Sequence, residues 1–330
     1  MLTERGLPIR NYRHGYLIYN PNAGRLRGKG RRRLDAALRI LKDAGHEIEP
    51  IPTTGPRTAS ALAADCVRQG ADLILAAGGD GTVNEIANGM IHSGVPLGLL
   101  PAGTANVLAV ETGVPRSLER AAAGISTAVA EPISAGILKN EANPEGRYFL
   151  LMAGAGLDAH IVHHLDPHWK AVLGKLSYWI GGFAQLARRL PEFEVESGPV
   201  SGRFSFALLS RVRNYGGDIE IARDVNLLDD RFEAVLFRGP NPFVYLRYFL
   251  AILAGRQARA RGIAICHTTQ ARIEAPTLAK AYVQVDGEAA GELPATIEVV
   301  PAAITLLLPP AYLARARSQT AVSWTTSPTR

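Results

Sequence analysis

Short apolar runs separated by longer amphipathic stretches organise the first third of the chain. Tyr16–Tyr19, Glu47–Pro52, Ala71–Ala77 and Pro96–Leu100 read as strands, the third being the most continuous. Between them, apolar positions recur at helical spacing over about Gly28 to Ala44, Arg57 to Gln69 and Thr82 to His92, and another helix follows Asn106. Strands alternating with helices predict a parallel sheet whose ligands gather at the carboxyl ends of the strands. Each strand ends in a Gly, Pro, Asn or Thr cluster, so four clusters fall on one edge.

After about Pro132 the texture changes to short β-branched runs with partial alternation. Arg203–Leu208, Ala281–Asp286, Thr296–Val300 and Ile304–Leu308 predict an antiparallel sandwich or barrel. A helical stretch, Lys170–Arg189, interrupts it, and Ser318–Arg330 is polar enough to read as disordered. Trp169, Leu173, Leu176, Trp179 and Ile180 fall close to helical spacing. That pattern predicts a helix packed on its own domain, with a membrane-resting or acyl-lining surface as the alternative. His163, His164 and His168 lack complementary ligand spacing, and no metal is assigned to them.

The third strand breaks at Gly78-Gly79-Asp80-Gly81 and gives way to a helix. Strand, glycine turn and helix together present backbone N–H groups to an anion, typically a phosphate. Asp80 is the unusual member, because a carboxylate beside phosphates repels them unless a cation bridges or a proton is being removed. The pattern therefore favours Mg–nucleotide chemistry over mere phosphate binding. The plainer reading is a helix start: Thr82 and Glu85 have capping-box spacing, and an acid in the first turn suits the dipole. Three further clusters sit at the same predicted edge: Asn20-Pro21-Asn22-Ala23-Gly24, Thr53-Thr54 and Gly103-Thr104-Ala105-Asn106. Farther on, Asp286-Gly287-Glu288 ends a strand, either as a plain hairpin turn or as a paired-carboxylate site around a flexible glycine.

At 330 residues, two domains are the default. An apolar content of 47% with 20% charged residues describes an ordinary globular protein. The net charge of +6 concentrates at Arg25, Arg27, Lys29 and Arg31 to Arg33, at Arg188 and Arg189, and between Arg256 and Arg261. Such clusters attract nucleotides, nucleic acid or anionic lipid without choosing among them. Cys66 and Cys266 have no metal spacing and read as buried thiols. There is no signal core, and the longest lipophilic run, Phe243–Ala254, contains Arg247 and is too short to span a bilayer. The expectation is a cytoplasmic protein with transient peripheral membrane contact.

YNPNAG (19–24), GGDGTVNEIANG (78–89), PLGLLPAGTANVLA (96–109), MAGAGLDA (152–159) and VQVDGEAAGELPATIEVVP (283–301) together resemble the diacylglycerol kinase catalytic-domain superfamily of bacterial lipid kinases, sphingosine kinases and ceramide kinases. The order and spacing match from about Tyr16 to Pro310. The resemblance implies a Rossmann-like three-layer α/β nucleotide domain over 1–133, completed by a returning strand at about 302–312. It also implies a β-sandwich lipid domain over 134–301 and an active site in the cleft between them, leaving 313–330 as the polar tail that reads as disordered. It implies ATP and Mg2+ as cofactors and a lipid hydroxyl as acceptor, whether diacylglycerol-, sphingoid- or phosphatidylglycerol-like.

By motif, Asn20, Pro21, Asn22, Ala23, Gly24, Thr53, Gly78, Gly79, Asp80, Gly81, Thr82, Val83, Asn84, Gly103, Thr104 and Asn106 would hold the nucleotide. Asp286 and Glu288 match the acidic segment implicated in proton abstraction and metal positioning, with Asp80 as the Mg-linked carboxylate. Asp158 matches a head-group contact and is grouped with Glu85 as the substrate set. Asp229 resembles a structural Mg position, although Asp230 stands where that pattern has glycine. Val107 and Ser134 replace acidic residues usual among many soluble members, which points to a changed surrounding network. The competing readings are an NAD kinase, which shares the GGDGT turn but not PAGTAN or VDGE, and a non-catalytic nucleotide-binding regulator. No nucleic-acid partner is expected. The oligomeric state is open, a homodimer included.

Overall fold

A computed structural model describes residues 11–28, 30–156, 190–215, 219–275 and 280–325. The chain divides into two compact units, Met1–Ala135 with Pro301–Arg330, and Gly136–Val300. The stretch from Leu157 to Arg189 lies outside the described residues. With it go Asp158, the three clustered histidines, the Trp169–Ile180 pattern, and Arg188 and Arg189.

In the first unit, strands β1 (Gly15–Tyr19), β2 (Ile48–Pro52), β3 (Leu73–Gly78) and β4 (Pro96–Pro101) alternate with helices α1 (Gly30–Asp43), α2 (Ala59–Arg68), α3 (Asp80–Met90), α4 (Val107–Thr112) and α5 (Leu118–Gly124). The sheet runs β2-β1-β3-β4, with every pair parallel, and Gly15 lies opposite both Ile48 and Leu73. The central strands β1 and β3 are buried along their whole length, as continuous apolar runs covered on both faces should be. Strand β2 is half exposed and carries Pro50 and Pro52, which an edge strand tolerates and a central one does not. Helix α1 buries Gly30, Leu34, Ala37 and Leu41, a single stripe facing the sheet.

The second unit contains β6 (Asn143–Phe149), β7 (Met152–Gly156), β8 (Phe193–Ser197), β9 (Val200–Phe204), β10 (Phe206–Ser210), β11 (Asn214–Tyr215), β12 (Ile219–Glu220), β13 (Phe232–Phe237), β14 (Ile263–Thr268), β15 (Gln270–Ile273), β16 (Tyr282–Val285) and β17 (Glu288–Glu292), with helix α6 (Pro242–Leu253). Two long strands, β5 (Val129–Asn140) and β18 (Ala295–Leu308), run from one unit into the other. An antiparallel sheet ordered β14-β13-β10-β7-β16-β17 faces strands β18, β15, β8 and β9. Ala153, Leu209, Phe232 and Val283 from the first layer pack with Phe193, Val195, Ile273 and Ile297 from the second in one buried cluster. The alternation along β8, with Phe193, Val195 and Ser197 buried between exposed glutamates, is what a two-layer sandwich demands.

Several boundaries differ from the sequence pattern. Arg203–Leu208 is two strands, because Ser205 leaves the ladder and its hydroxyl bonds the Gly239 carbonyl and the Tyr245 hydroxyl at 2.6 and 2.7 Å. Thr296–Val300 and Ile304–Leu308 are one strand, β18, with Ala302 at φ +47° between its halves. The returning segment ends at Leu308 rather than near Tyr312. Where a disordered tail over 313–330 was expected, a helix α7 (Pro310–Thr325) forms. Pro310 suits the first helical position, and Tyr312, Leu313 and Ala316 are 3, 4 and 1% exposed. Arg317 pairs with Glu131 at 2.9 Å, and Arg315 donates to the Glu111 carbonyl at the same distance. Average polarity concealed this buried face.

Candidate active site

The carboxyl edge of the first unit's sheet is built by backbone tying each strand end to its neighbour. The Asn20 amide donates to the Ala77 carbonyl, Thr53 to Tyr19, and both Ala102 and Gly103 to Gly78. The predicted clusters therefore share one edge. Asn20 folds its own loop, its Oδ1 accepting from the Asn22 amide at 2.9 Å, an Asx turn. Beside this loop opens a cavity of about 310 Å³ lined by Tyr19, Pro21, Asn22, Leu26, Arg27, Gly28, Arg31 and Leu34. Arg27 is anchored there by donating to the Asn22 carbonyl.

The GGDGT and PAGTAN loops meet backbone to backbone. A Cβ on Gly103 would stand 2.4 Å from the Gly79 Cα, so a side chain at 103 has no room. Asn106 holds this approach from the other side. It sits in the left-handed region at φ +50°, where asparagine is tolerated better than most residues. Its Oδ1 accepts from the Gly103 amide at 2.9 Å and its Nδ2 donates to the Gly103 carbonyl at 2.8 Å. Thr104, at the tip of that loop, is exposed.

Helix α3 begins at Asp80, two residues earlier than the apolar pattern suggests, with extended Gly79 as its N-cap. Asp80 thus lies in the positive first turn of α3 and reaches the start of α4, where Leu108 donates to its Oδ1 at 3.3 Å. Burial pushes the Asp80 pKa up, against the amides of Val107, Leu108, Asp80 and Asn106, which pull it down. Thr82 does not cap the helix. Glu85 caps a different one: its two oxygens accept from the Arg57 and Ala59 amides at 3.0 and 3.1 Å, at the start of α2. Both Glu85 oxygens are thus engaged by backbone amides at the start of α2.

In the second unit, Asp286 and Gly287 both have positive φ, +49° and +80°, and Val285 pairs with Glu288 around them. This is a two-residue hairpin of the Asp-Gly type, so the plain turn reading of DGE is correct as far as the backbone goes. Its carboxylates differ sharply. Asp286 is 9% exposed and accepts from the Leu150, Leu151 and Met152 amides at 2.9, 2.9 and 3.0 Å. Its own amide donates to the Met152 carbonyl at 2.9 Å. Glu288 is 41% exposed at its side chain and among the described residues meets a single cation, Arg147. Arg147, Asn140 and Asn143, all on the β5–β6 hairpin, bond to β17, and nothing in their spacing along the chain announces it.

Asp80 is the single carboxylate that the GGDGT turn brings against the start of α4. Among the described residues no group of three or more His, Cys, Asp or Glu could hold a metal. Mg2+ bound through one carboxylate plus phosphate oxygens and water needs no such cage. The Asp229 loop does not fit. Its carboxylate accepts from the Asn226 amide at 2.9 Å, and the wholly buried Arg211 guanidinium donates to the Asp229 and Leu227 carbonyls at 3.1 and 3.0 Å. A built-in cation therefore takes carbonyl oxygens that a metal there would require. Val107 and Ser134 are buried and bring no charge.

Comparison with known proteins agrees with both units. The diacylglycerol kinase catalytic domain family matches residues 14–137, and the YegS C-terminal NAD kinase beta sandwich-like domain matches residues 152–308. A diacylglycerol kinase of Bacillus subtilis (strain 168) is 31% identical over 284 residues, covering 84% of this chain and 90% of that protein. One from Mycobacterium tuberculosis is 28% identical over 297 residues, covering 88% and 94%. A crystal structure of a diacylglycerol kinase from Bacillus anthracis shares the fold with a TM-score of 0.74 at 22% identity, over 92% of this chain and 99% of that one. Among the described residues no helix is long and apolar enough to cross a membrane. The chain belongs to the diacylglycerol kinase catalytic-domain superfamily and is an enzyme of the lipid kinase class.

Proposed function

We propose that this enzyme transfers the γ-phosphoryl group of Mg–ATP to a lipid hydroxyl, with diacylglycerol the first acceptor to test. The observation that carries the reading is the glycine-tight junction of the GGDGT and PAGTAN loops, with Asp80 held at the start of two helices. On this reading Asn20 to Gly24, Thr53, Gly78 to Asn84, and Gly103, Thr104 and Asn106 form the nucleotide-facing rim. Backbone N–H groups there stay in place through the reaction, which is where such donors contribute most. Asp80 would hold Mg2+, which when bound neutralises charge on the transferring phosphates.

The two acids of the DGE turn then divide the remaining work. Asp286 has both oxygens committed to amides and acts as a clasp on the start of β7. Glu288, with 41% of its side chain exposed, accepts the proton of the lipid hydroxyl as it attacks phosphorus. A positioned base contributes roughly 10²–10⁴-fold to such a step. Asp158 remains the proposed head-group contact, transient peripheral contact with a membrane surface gives access to the acceptor, and the competing acceptors are a sphingoid base and phosphatidylglycerol.

The test is incubation with labelled ATP, Mg2+ and each lipid in mixed micelles, followed by analysis of the organic phase. Label is expected in a phosphorylated lipid, with Glu288→Gln and Asp80→Asn each lowering the rate about 10²-fold or more. Label appearing in NADP when NAD is supplied, or no lipid product from any acceptor, overturns the reading.

A further inference from the structure

Strand β17 is the last strand of its sheet, and strand pairing alone would leave one of its edges unprotected. Side chains of the β5–β6 hairpin cover it. Asn140 Nδ2 donates to the Ala290 and Glu292 carbonyls at 2.9 and 3.0 Å, and Asn143 Nδ2 donates to Ala290 at 2.8 Å. Arg147 is the third clamp and differs in kind. Its Nη1 donates to the Ala289 carbonyl at 3.1 Å while its Nη2 donates to Glu288 Oε2. One rigid guanidinium fork therefore grips the backbone of one residue and the carboxylate of the residue before it.

The geometry has a specific consequence for Glu288. Asp286 ties the hairpin turn to Leu150, Leu151 and Met152, which fixes where β17 begins. Backbone placement does not fix the side chain, since a glutamate that is 41% exposed has three rotatable bonds to settle. Arg147, 22% exposed at its own side chain, removes that freedom by holding Oε2. Oε1 has no hydrogen-bond partner among the described residues. We infer that Arg147 is a positioning residue for the phosphoryl transfer: it aims the Glu288 carboxylate, leaving Oε1 to receive the acceptor's proton. This rests on the assignment of Glu288 as base under the proposed function.

A purely structural role is the rival, because Arg147 also covers a strand edge. A double-mutant cycle separates the two. Arg147→Gln, Arg147→Lys, Glu288→Gln and the Arg147→Gln/Glu288→Gln double variant are compared by single-turnover transfer from labelled ATP to micellar diacylglycerol. The KM for ATP and the thermal midpoint are recorded beside each rate. Positioning predicts that Arg147→Gln alone lowers the transfer rate roughly tenfold, within the range for coupled neighbours, with KM for ATP unchanged. It further predicts no added loss on the Glu288→Gln background, and recovery of most of the rate in Arg147→Lys, which keeps a cation at the carboxylate. If Arg147→Gln costs the same factor in both backgrounds, or if the rates follow the thermal midpoints, the inference is overturned. Failure of the underlying reading shows elsewhere: the wild-type enzyme then labels no lipid, and both ideas fall together.

Discussion

Three acids from the sequence motifs, Asp80, Asp286 and Glu288, have three different surroundings, and their substitutions should separate accordingly. Asp286 is a buried acceptor for three amides. Asp286→Asn replaces a charged acceptor with a neutral amide and sets an NH2 group against N–H donors. A loss of about 2–4 kcal/mol in urea unfolding is expected, with activity falling because the fold around β7 loosens. An Asp286→Asn enzyme of unchanged stability would show that the clasp is dispensable. Asp80 behaves in the opposite sense. Burial raises its pKa, so at neutral pH the fold holds a carboxylate in a place that disfavours ionisation. Asp80→Asn should therefore melt at higher temperature than wild type without ligand, yet lack the extra stabilisation that Mg–ATP should confer on wild type under the proposed function. Parallel melting curves with and without Mg–ATP check both halves. Equal ligand stabilisation in the two proteins would remove Asp80 from the nucleotide site.

At the scale of elements, the decisive feature is how closely two loops approach. Gly103→Ala would place a methyl carbon 2.4 Å from Gly79 Cα, whereas Gly55→Ala meets nothing within 4 Å. The first change should cost about 2 kcal/mol or more and abolish nucleotide binding, while the second should leave binding within about twofold. Isothermal titration with ATP analogues distinguishes them, and equal affinities would show that the loops do not need to touch. The elements carrying this junction were largely legible in the chain: β1, β3 and β4 are unbroken apolar runs, and the glycines after them mark the turns. The start of α3 was not, because Gly79 and Asp80 read as turn residues until the extended Gly79 and the α4 amides around Asp80 are seen. The same holds for Glu85 and Arg147, whose partners at Arg57, Ala59 and Glu288 lie 26 to 141 residues away. Helix α7 escaped for another reason: among its described side chains only Tyr312, Leu313 and Ala316 are buried, too short a stripe to stand out between the arginines and polar residues beside it.

For the whole molecule, buried ionisable groups make stability depend on pH in opposing directions. In the first unit, His46 is 2% exposed, its Nδ1 accepts from the Tyr12 amide at 3.2 Å, and its Nε2 therefore carries the proton toward Ser126 Oγ at 2.9 Å. Burial lowers its pKa below 6.5, outweighing the pull of Asp72. The unfolded chain then binds more protons than the fold, so this contribution is full above pH 6.5 and shrinks as pH falls below it. In the second unit, Glu233 is 2% exposed and burial pushes its pKa to about 7, with Asp224 adding to the rise and the amides of Asp224 and Arg223 and the charge of Arg213 opposing it. Here the fold binds more protons than the unfolded chain between 4.5 and about 7, so stability is lost as pH rises through that window. The full span corresponds to about 3 kcal/mol. His267, opposite Glu233 on β14 and exposed, has its pKa lowered by burial and offsets little of this. Difference curves isolate each group. Relative to wild type, Glu233→Gln should gain stability progressively from pH 5 to pH 8, and His46→Gln should gain it as pH falls from 7 to 5. Guanidinium titrations at each pH, with hydrogen exchange on β1 and β13 to locate the change, test both. Flat difference curves would mean that water reaches these side chains and that neither unit is as dry around its charge as its packing implies.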